Sequence, residues 1–276
     1  VDAPAAVAVS SFTAALHLAL LARDLEPGAE GVTSPMTFAA TANAVIHAGH
    51  VPVFADCDPD TGCLDPAAFE RAITPRTRAV IPVHFAGRPC DMDAIGRIAT
   101  AHGIRVVEDC AHAIEATIGG RHCGTFGELG CFSFYVTKNL GAAGEGGMVL
   151  TQSEAVARRL RELRDHGSPT KYVHEHIGTN SRLHALQAAI LNVKLPHLEK
   201  WNARRRELAA RYDKHFAGSK TAVPMKLEKG ATHCYHQYAV RVKGARSRDE
   251  VMRLLAEQKI MTAVHYPTPV HVQAAA

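Results

Sequence analysis

AVIPVHFAGRPCDMDAIGRIATAHGIRVVEDC, residues 79–110, reads as a strand over Ala79–Phe85, a helix opened by Asp91 and running to about His102, and a second strand, Ile104–Val107, ending in Glu108-Asp109. Strands that alternate with amphipathic helices point to a parallel α/β sheet. In such sheets ligands lie beyond the carboxyl ends of the strands. Asp109 stands at one of those ends. A carboxylate there is costly to bury unless it meets a cation or hydrogen-bond donors, so it is either a helix cap or a ligand contact.

The pattern extends in both directions. Upstream, Ser10-Ser11-Phe12-Thr13 precedes the Ala/Leu-rich run Ala14–Ala22, the pattern of a capped, buried helix whose free amides can hold a phosphate. Strands follow at Val32–Ser34 and Val51–Ala55, with a helix over Ala39–Ala48 between them and a helix capped by Asp65 with Pro66 at its first position after them. Downstream, Ile118–Gly124 is a tight hairpin, Gly130–Tyr135 and Gly147–Thr151 are strands, and Ser153 caps a charged helix to about Asp165. Leu183–Phe216 is the longest helical stretch, and Pro196 must end or kink it. Beyond it, strands at Tyr235–Val242 and Thr262–Tyr266 flank a helix from Ser247 to about Lys259, a small α+β pattern. The division is a large α/β domain over residues 1–205 and a small, incomplete C-terminal domain over 206–276.

The chain has 276 residues, 47% hydrophobic and 21% charged, with net charge +4 and an isoelectric point near 8.7. Its basic residues are scattered apart from Arg204–Arg206, so there is no nucleic-acid footprint. Seven cysteines, an odd number without a CxxC pair, point to reduced thiols and a cytoplasmic protein. The apolar N-terminal segment has no preceding Lys or Arg and is too short to span a membrane. The chain has no initiating Met and both ends stop abruptly, as in a fragment. The pairs His174/His176, His112/His122 and His265/His271 make no metal-ligand set. The turn Gly141–Gly144 precedes a strand where a dinucleotide fingerprint needs a helix.

In CFSFYVTKNLGAAGEGG, residues 131–147, Lys138 follows an aromatic strand and precedes a glycine-rich turn. Alone, it reads as a solvated strand end. Its company is a Ser/Thr helix start, an aromatic (Phe38) and an aspartate (Asp109) at strand ends, and Ser133 five positions upstream. These are the parts that pyridoxal 5′-phosphate requires: an amine for a Schiff base, a carboxylate for the pyridine nitrogen, a stacking ring, and donors for the phosphate.

The segments at residues 35–45 (PMTFAATANAV), 52–62, 72–95, 106–116 (VVEDCAHAIEA), 127–149, 180–205 and 264–273 (VHYPTPVHVQ) together resemble the DegT/DnrJ/EryC1/StrS aminotransferases. The resemblance covers nearly the whole chain. It implies a fold-type I architecture, a mostly parallel sheet sandwiched by helices. It further implies that Lys138 is the Schiff-base lysine, that Asp109 pairs with the pyridine nitrogen, and that His112 lies beside the cofactor's phenolic oxygen. Phe38 would stack on the ring, and Thr13, Ala14 and Ser133 would hold the phosphate. Asn180, in NSRL, would reach the site of a neighbouring subunit across a homodimer with shared active sites. His265, Tyr266 and His271 would line the sugar-nucleotide site, or else form a proline-shaped surface loop.

The implied activity moves an amino group from L-glutamate to a nucleotide-linked keto-sugar, and Lys138 argues against the dehydratase branch, which has His there. Two positions depart from the pattern. Phe12 stands where relatives have Gly, at a place where backbone approaches the phosphate, and Val136 stands where many have Pro. Phe12 and the abrupt ends leave open a second reading, an impaired fold-type I remnant or regulator that binds a nucleotide sugar or partner without turnover.

Overall fold

The computed structural model describes residues 3–274. After β1 (Ala5–Val9), Ser11 is extended and its Oγ accepts the Ala14 amide at 3.1 Å, capping α1 (Phe12–Leu21). This helix has no polar face, so it is buried: Ala15, Leu16, Leu18, Ala19 and Leu20 are inaccessible. Then come β2 (Glu30–Thr33), α2 (Ala40–His47), β3 (Val51–Phe54) and α3 (Pro66–Arg71), the last capped by Asp65 with Pro66 in the first turn. β4 (Thr77–Ile81) is shorter than its apolar run, because Pro82 has no amide to continue a ladder. α4 (Met92–His102) starts on the Asp91 cap and stops at Gly103, which takes the left-handed conformation at φ 65°.

β5 (Arg105–Asp109) ends at the aspartate. A hairpin of β6 (Thr117–Ile118) and β7 (Arg121–His122) follows, then β8 (Leu129–Ser133), β9 (Gly147–Thr151) and α5 (Glu154–Arg164). Seven strands form one sheet in the order β1-β9-β8-β5-β4-β2-β3. All run parallel except β9, which is antiparallel to both β8 and β1.

Alternation along the strands builds three layers. Ile81, Val107, Cys131 and Val149 face α1, α2 and α5. Val80 faces α3 and α4 with Phe69, Met92 and Ile95, while Phe132 and Leu150 meet Leu191 and Leu198. Each such aliphatic or aromatic side chain contributes about 1.5–3 kcal/mol on full burial.

Pro196 breaks the long helical stretch as its chemistry requires: α6 (Ala185–Lys194) and α7 (Leu198–Phe216) are joined by a single 3-10 turn at Leu195–His197. The boundary between residues 205 and 206 therefore falls inside α7. β10 (Ala222–Pro224), β11 (Ala231–Thr232), β12 (Val240–Val242) and α8 (Arg248–Glu257) complete the fold. β11 pairs with β6, which ties the segment before β12 to the larger layer structure.

Two strand expectations in this region are corrected. Only Val240–Val242 of the Tyr235–Val242 run is strand, because the preceding residues hydrogen-bond across to Ala86 and Gly87 instead of to a ladder. Thr262–Tyr266 is not a strand, since β10 and β12 form a two-stranded sheet without a third partner among the described residues.

Candidate active site

The carboxyl edge of the sheet brings the chemistry together. Asp109 pairs in register with Cys131, and both Ser133 and Val9 pair with Gly147, so the ends of β5 and β8 lie side by side and that of β1 lies across the start of β9. They open on a cavity of about 480 Å³ whose lining includes Thr13, Phe38, Asp109, His112, Ser133, Lys138, His265 and Tyr266. Eight residues singled out in the sequence thus share one cavity.

Asp109 is buried, 3% exposed. Thr41 Oγ1 donates to its Oδ2 at 2.8 Å, and the Ala111 amide donates to its Oδ1 at 3.1 Å. Burial pushes the Asp109 carboxyl up, opposed by those two donors and by Lys138. Lys138 is set by a turn in which its amide donates to the Tyr135 carbonyl at 2.8 Å. Burial pulls its ammonium down, opposed by Asp109. A buried carboxylate and a partly buried amine in one cavity each offset part of the other's desolvation.

At the start of α1, Ser11 Oγ takes the Ala14 amide, so among the described residues the amides of Phe12 and Thr13 are the ones left facing outward without a partner. Gly147 permits this approach: a Cβ there would sit 2.5 Å from the Ser11 carbonyl oxygen. Phe12 both lines the cavity and packs against the sheet core. Ser133 Oγ accepts the Tyr135 amide at 3.3 Å. His112 Nδ1 accepts the Ala86 amide at 3.3 Å, which leaves its proton on Nε2, and burial holds the ring well below the ordinary histidine range, reinforced by Lys138 and His236. Phe38 is 62% exposed at the mouth, its ring 6.4 Å from that of Tyr266.

Three expected residues lie outside this lining. Ala14 is turned into the helix cap. Asn180 is exposed and bridges Asp165 through its backbone, and His271 is exposed with its ring 5.9 Å from Phe54.

Several lining or supporting residues were not singled out in the sequence. Thr37 and Thr41 form a 2.7 Å hydroxyl pair that ends on Asp109, and their i, i+4 spacing was the available signal. His236 packs against His112 with ring centres 4.5 Å apart and the planes tilted by 31°, and Gln237 and Glu145 also line the cavity. Nothing local marks His236, because it arrives from a segment packed on Gly87. Gly87 itself has φ 94°, and a Cβ there would meet Cys234 Sγ at 2.6 Å.

Beneath the site, Glu108 is fully buried. Its Oε2 meets His84 Nε2 at 2.9 Å and accepts the Gly124 amide at 2.7 Å, while its Oε1 accepts the Gly127 amide at 2.6 Å. His84, Glu108 and Cys110 are close enough to surround a cation, but these bonds already occupy the carboxylate. The group instead ties β5 to the hairpin that follows it.

A family model described as the DegT/DnrJ/EryC1/StrS aminotransferase family matches residues 1–276. The chain belongs to that family. The pleiotropic regulatory protein of Geobacillus stearothermophilus is 46% identical over 262 residues, covering 94% of this chain and 69% of the relative. The UDP-N-acetyl-3-dehydro-alpha-D-glucosamine 3-aminotransferase of Acidithiobacillus ferrooxidans is 46% identical over 267 residues, covering 97% and 71%. The crystal structure of S. venezuelae DesV superposes with a TM-score of 0.94 at 44% identity, covering 98% of this chain and 72% of DesV.

This DegT-family chain is an aminotransferase whose cofactor is pyridoxal 5′-phosphate, and similar chains have been solved in PLP and PMP forms. The donor set here fits that group: a partly buried amine, a buried carboxylate with donors on both oxygens, and hydroxyls with free amides at a helix start. Among the described residues no helix is long and apolar enough to cross a membrane.

Proposed function

We propose that this chain transfers an amino group from L-glutamate to a nucleotide-linked keto-sugar, with Lys138 as the reacting amine. The observation that carries the reading is the meeting of Lys138 and buried Asp109 in one cavity at the carboxyl edge of the sheet. The sugar-nucleotide class is supported by the names of relatives: a UDP-linked 3-dehydro-glucosamine for the A. ferrooxidans enzyme and a dTDP-linked trideoxy-glucose for a Streptomyces venezuelae transaminase.

When bound, pyridoxal phosphate supplies a carbonyl carbon that exchanges amino groups and a protonated pyridine ring that accepts electron density from the substrate carbon. The protein's part follows from its side chains. Burial pulls the Lys138 ammonium down, toward the neutral amine, and Nζ is the group that would react and would carry a proton to and from the substrate carbon. Asp109, fixed by Thr41 and Ala111, holds the positive charge at the ring nitrogen. His112 would offer an Nε2–H donor to the phenolic oxygen, Phe38 would stack on the ring, and Thr13, Ser133 and the start of α1 would hold the phosphate. Ala14 then contributes through the helix start rather than through its own amide.

His265 and Tyr266 take the sugar nucleotide with His271 at the outer edge. Asn180 acts on the neighbouring site of a homodimer. Exposed apolar side chains support the pairing, with Ile177 at 97%, Leu186 at 77% and Val193 at 72% exposure. Residues 1–205 carry the cofactor domain and 206–276 the small domain. Seven free thiols support a cytoplasmic setting.

The second reading, a regulator without turnover, is favoured by Phe12 in the phosphate cradle. Borohydride reduction of the protein with excess cofactor, followed by mass spectrometry, decides between them. A stoichiometric addition at Lys138, absent in Lys138→Ala, supports the enzyme, whereas no addition to the wild type sinks it.

A further inference from the structure

A chain of oriented side chains fixes the tautomer of His236. Asn202 Nδ2 donates to Glu115 Oε2 at 2.7 Å and to the Ile114 carbonyl at 3.4 Å, so its Oδ1 is what faces Asn139. Asn139 Nδ2 donates to that oxygen at 2.7 Å and to the Cys234 carbonyl at 3.0 Å. The remaining Asn139 Oδ1 lies 3.0 Å from His236 Nδ1, and an amide oxygen only accepts. His236 therefore carries its proton on Nδ1.

Burial, with Lys138 and Arg205 nearby, pushes His236 down to about 3, so the ring is neutral near pH 7 and Nε2 is a bare lone pair. The adjoining His112 has the opposite tautomer, with Nδ1 occupied by the Ala86 amide. The next residue, Gln237, supplies an independent observation: its Oε1 is buried without a partner among the described residues. Both residues line the cavity. A buried acceptor without a donor is costly, and a ligand donor removes that cost.

We infer that His236 Nε2 and Gln237 Oε1, on consecutive residues, are acceptors that receive hydroxyl hydrogens of the amino-accepting sugar and so help determine its selection. This rests on the proposed keto-sugar activity. The chemistry of the two substrates decides the assignment. L-Glutamate presents carboxylates, which only accept, and its one donor group is the ammonium consumed at the reacting carbon. The diphosphate likewise presents acceptors, and the donors of the nucleoside, its ribose hydroxyls and base N3–H, are separated from the reacting carbon by that diphosphate. The hydroxyls of the keto-sugar are the donors nearest the reacting carbon, and His236 and Gln237 share one cavity with Lys138; a site that binds a hydroxyl discriminates strongly against analogues lacking it.

The two half-reactions separate this role from a structural one. His236→Phe keeps a ring against His112 and removes the lone pair; Gln237→Leu removes the oxygen. Amino transfer from L-glutamate to the enzyme, and from the enzyme to UDP-N-acetyl-3-dehydro-glucosamine and to a dTDP-linked 3-keto-hexose, are measured separately. Each variant is expected to lose about tenfold more in kcat/KM for the sugar half than for the glutamate half. Equal losses in both halves, or none in either, overturn the inference while leaving the activity standing.

A wild type that accepts the amino group from L-glutamate but passes it to no keto-sugar nucleotide sinks the activity and the inference together. Independently of turnover, nitrogen-15 NMR of histidine-labelled protein, with the signal identified by its loss in His236→Phe, must show Nδ1 protonated and Nε2 bare. A proton on Nε2 overturns it.

Discussion

Thr41 donates to Asp109 across 68 positions of sequence, with its Oγ1 2.8 Å from Oδ2 and its own hydroxyl paired with Thr37 at 2.7 Å. One turn of α2 is thereby joined to the end of β5. The carboxylate that the sequence places at a strand end is held from two sides in the cavity wall, by Thr41 on one oxygen and the Ala111 amide on the other. Its direction is set before any ligand arrives, which is the preorganisation that electrostatic stabilisation in a site requires.

Thr41→Val keeps the shape of the side chain and deletes this donor. A hydrogen bond to a charged group contributes about 1.5–3 kcal/mol, and the Ala111 amide remains. Cofactor affinity, followed by absorbance titration, is expected to weaken by about tenfold or more. An unchanged affinity would show that Ala111 alone orients Asp109.

Phe12 gives a prediction with two opposite signs. Its side chain packs on the core and also lines the cavity beside the free amides of the helix start. Phe12→Gly removes a partly buried ring and introduces a flexible residue in a helix, so thermal stability of the cofactor-free protein is expected to fall by about 2–4 kcal/mol. Cofactor affinity is expected to rise, because the phosphate cradle opens. Should affinity stay constant as stability falls, Phe12 is a core residue that the phosphate does not meet.

The sheet, the helix caps and most of the cavity were legible because each rests on a local signal. Asp65 with Pro66, Asp91 with Gly103, and Ser11 before an apolar run are short-range chemistry, and Lys138 and Asp109 stand at strand ends that the apolar pattern defines. His236 and Gln237 were not legible. They enter the cavity because β11 pairs with β6 and Cys234 Sγ bonds to the His112 carbonyl at 2.9 Å, contacts between residues more than a hundred positions apart. Thr262–Tyr266 looked like a strand from its β-branched and aromatic content, but pairing decides strands and this segment has no partner among the described residues. Tyr266 nevertheless reaches the cavity.

The same buried segment makes the protein sensitive to acid. His233 is 2% exposed, its ring stacks on Tyr235 at 4.0 Å, and its Nδ1 accepts the Tyr235 amide at 2.9 Å. Burial, reinforced by Arg88, pushes it down to about 3 from an ordinary value of 6.5. A base with a depressed folded pKa contributes its full stability above the unfolded value and loses it as pH falls below 6.5 toward 3, because the unfolded chain takes up the proton first. At pH 5 the loss is about 2 kcal/mol. Urea unfolding of His233→Phe across that range is expected to show a shallower acid slope than wild type, whatever its stability at pH 7. Parallel slopes would remove His233 as the cause.

Asn180 tests whether the site is shared between subunits. It is exposed and absent from the cavity of its own chain, close in sequence to Ile177 at 97% exposure. In a symmetric dimer each site would combine Lys138 of one subunit with Asn180 of the other. Mixing Lys138→Ala subunits with Asn180→Ala subunits then gives heterodimers in which one site carries both changes and the other carries neither. After random exchange half of the dimers are mixed, each with one intact site, so the mixture is expected to recover about a quarter of wild-type activity from two parents that are each nearly inactive. If Asn180 serves its own subunit, every site in every dimer carries at least one change, and mixing restores nothing.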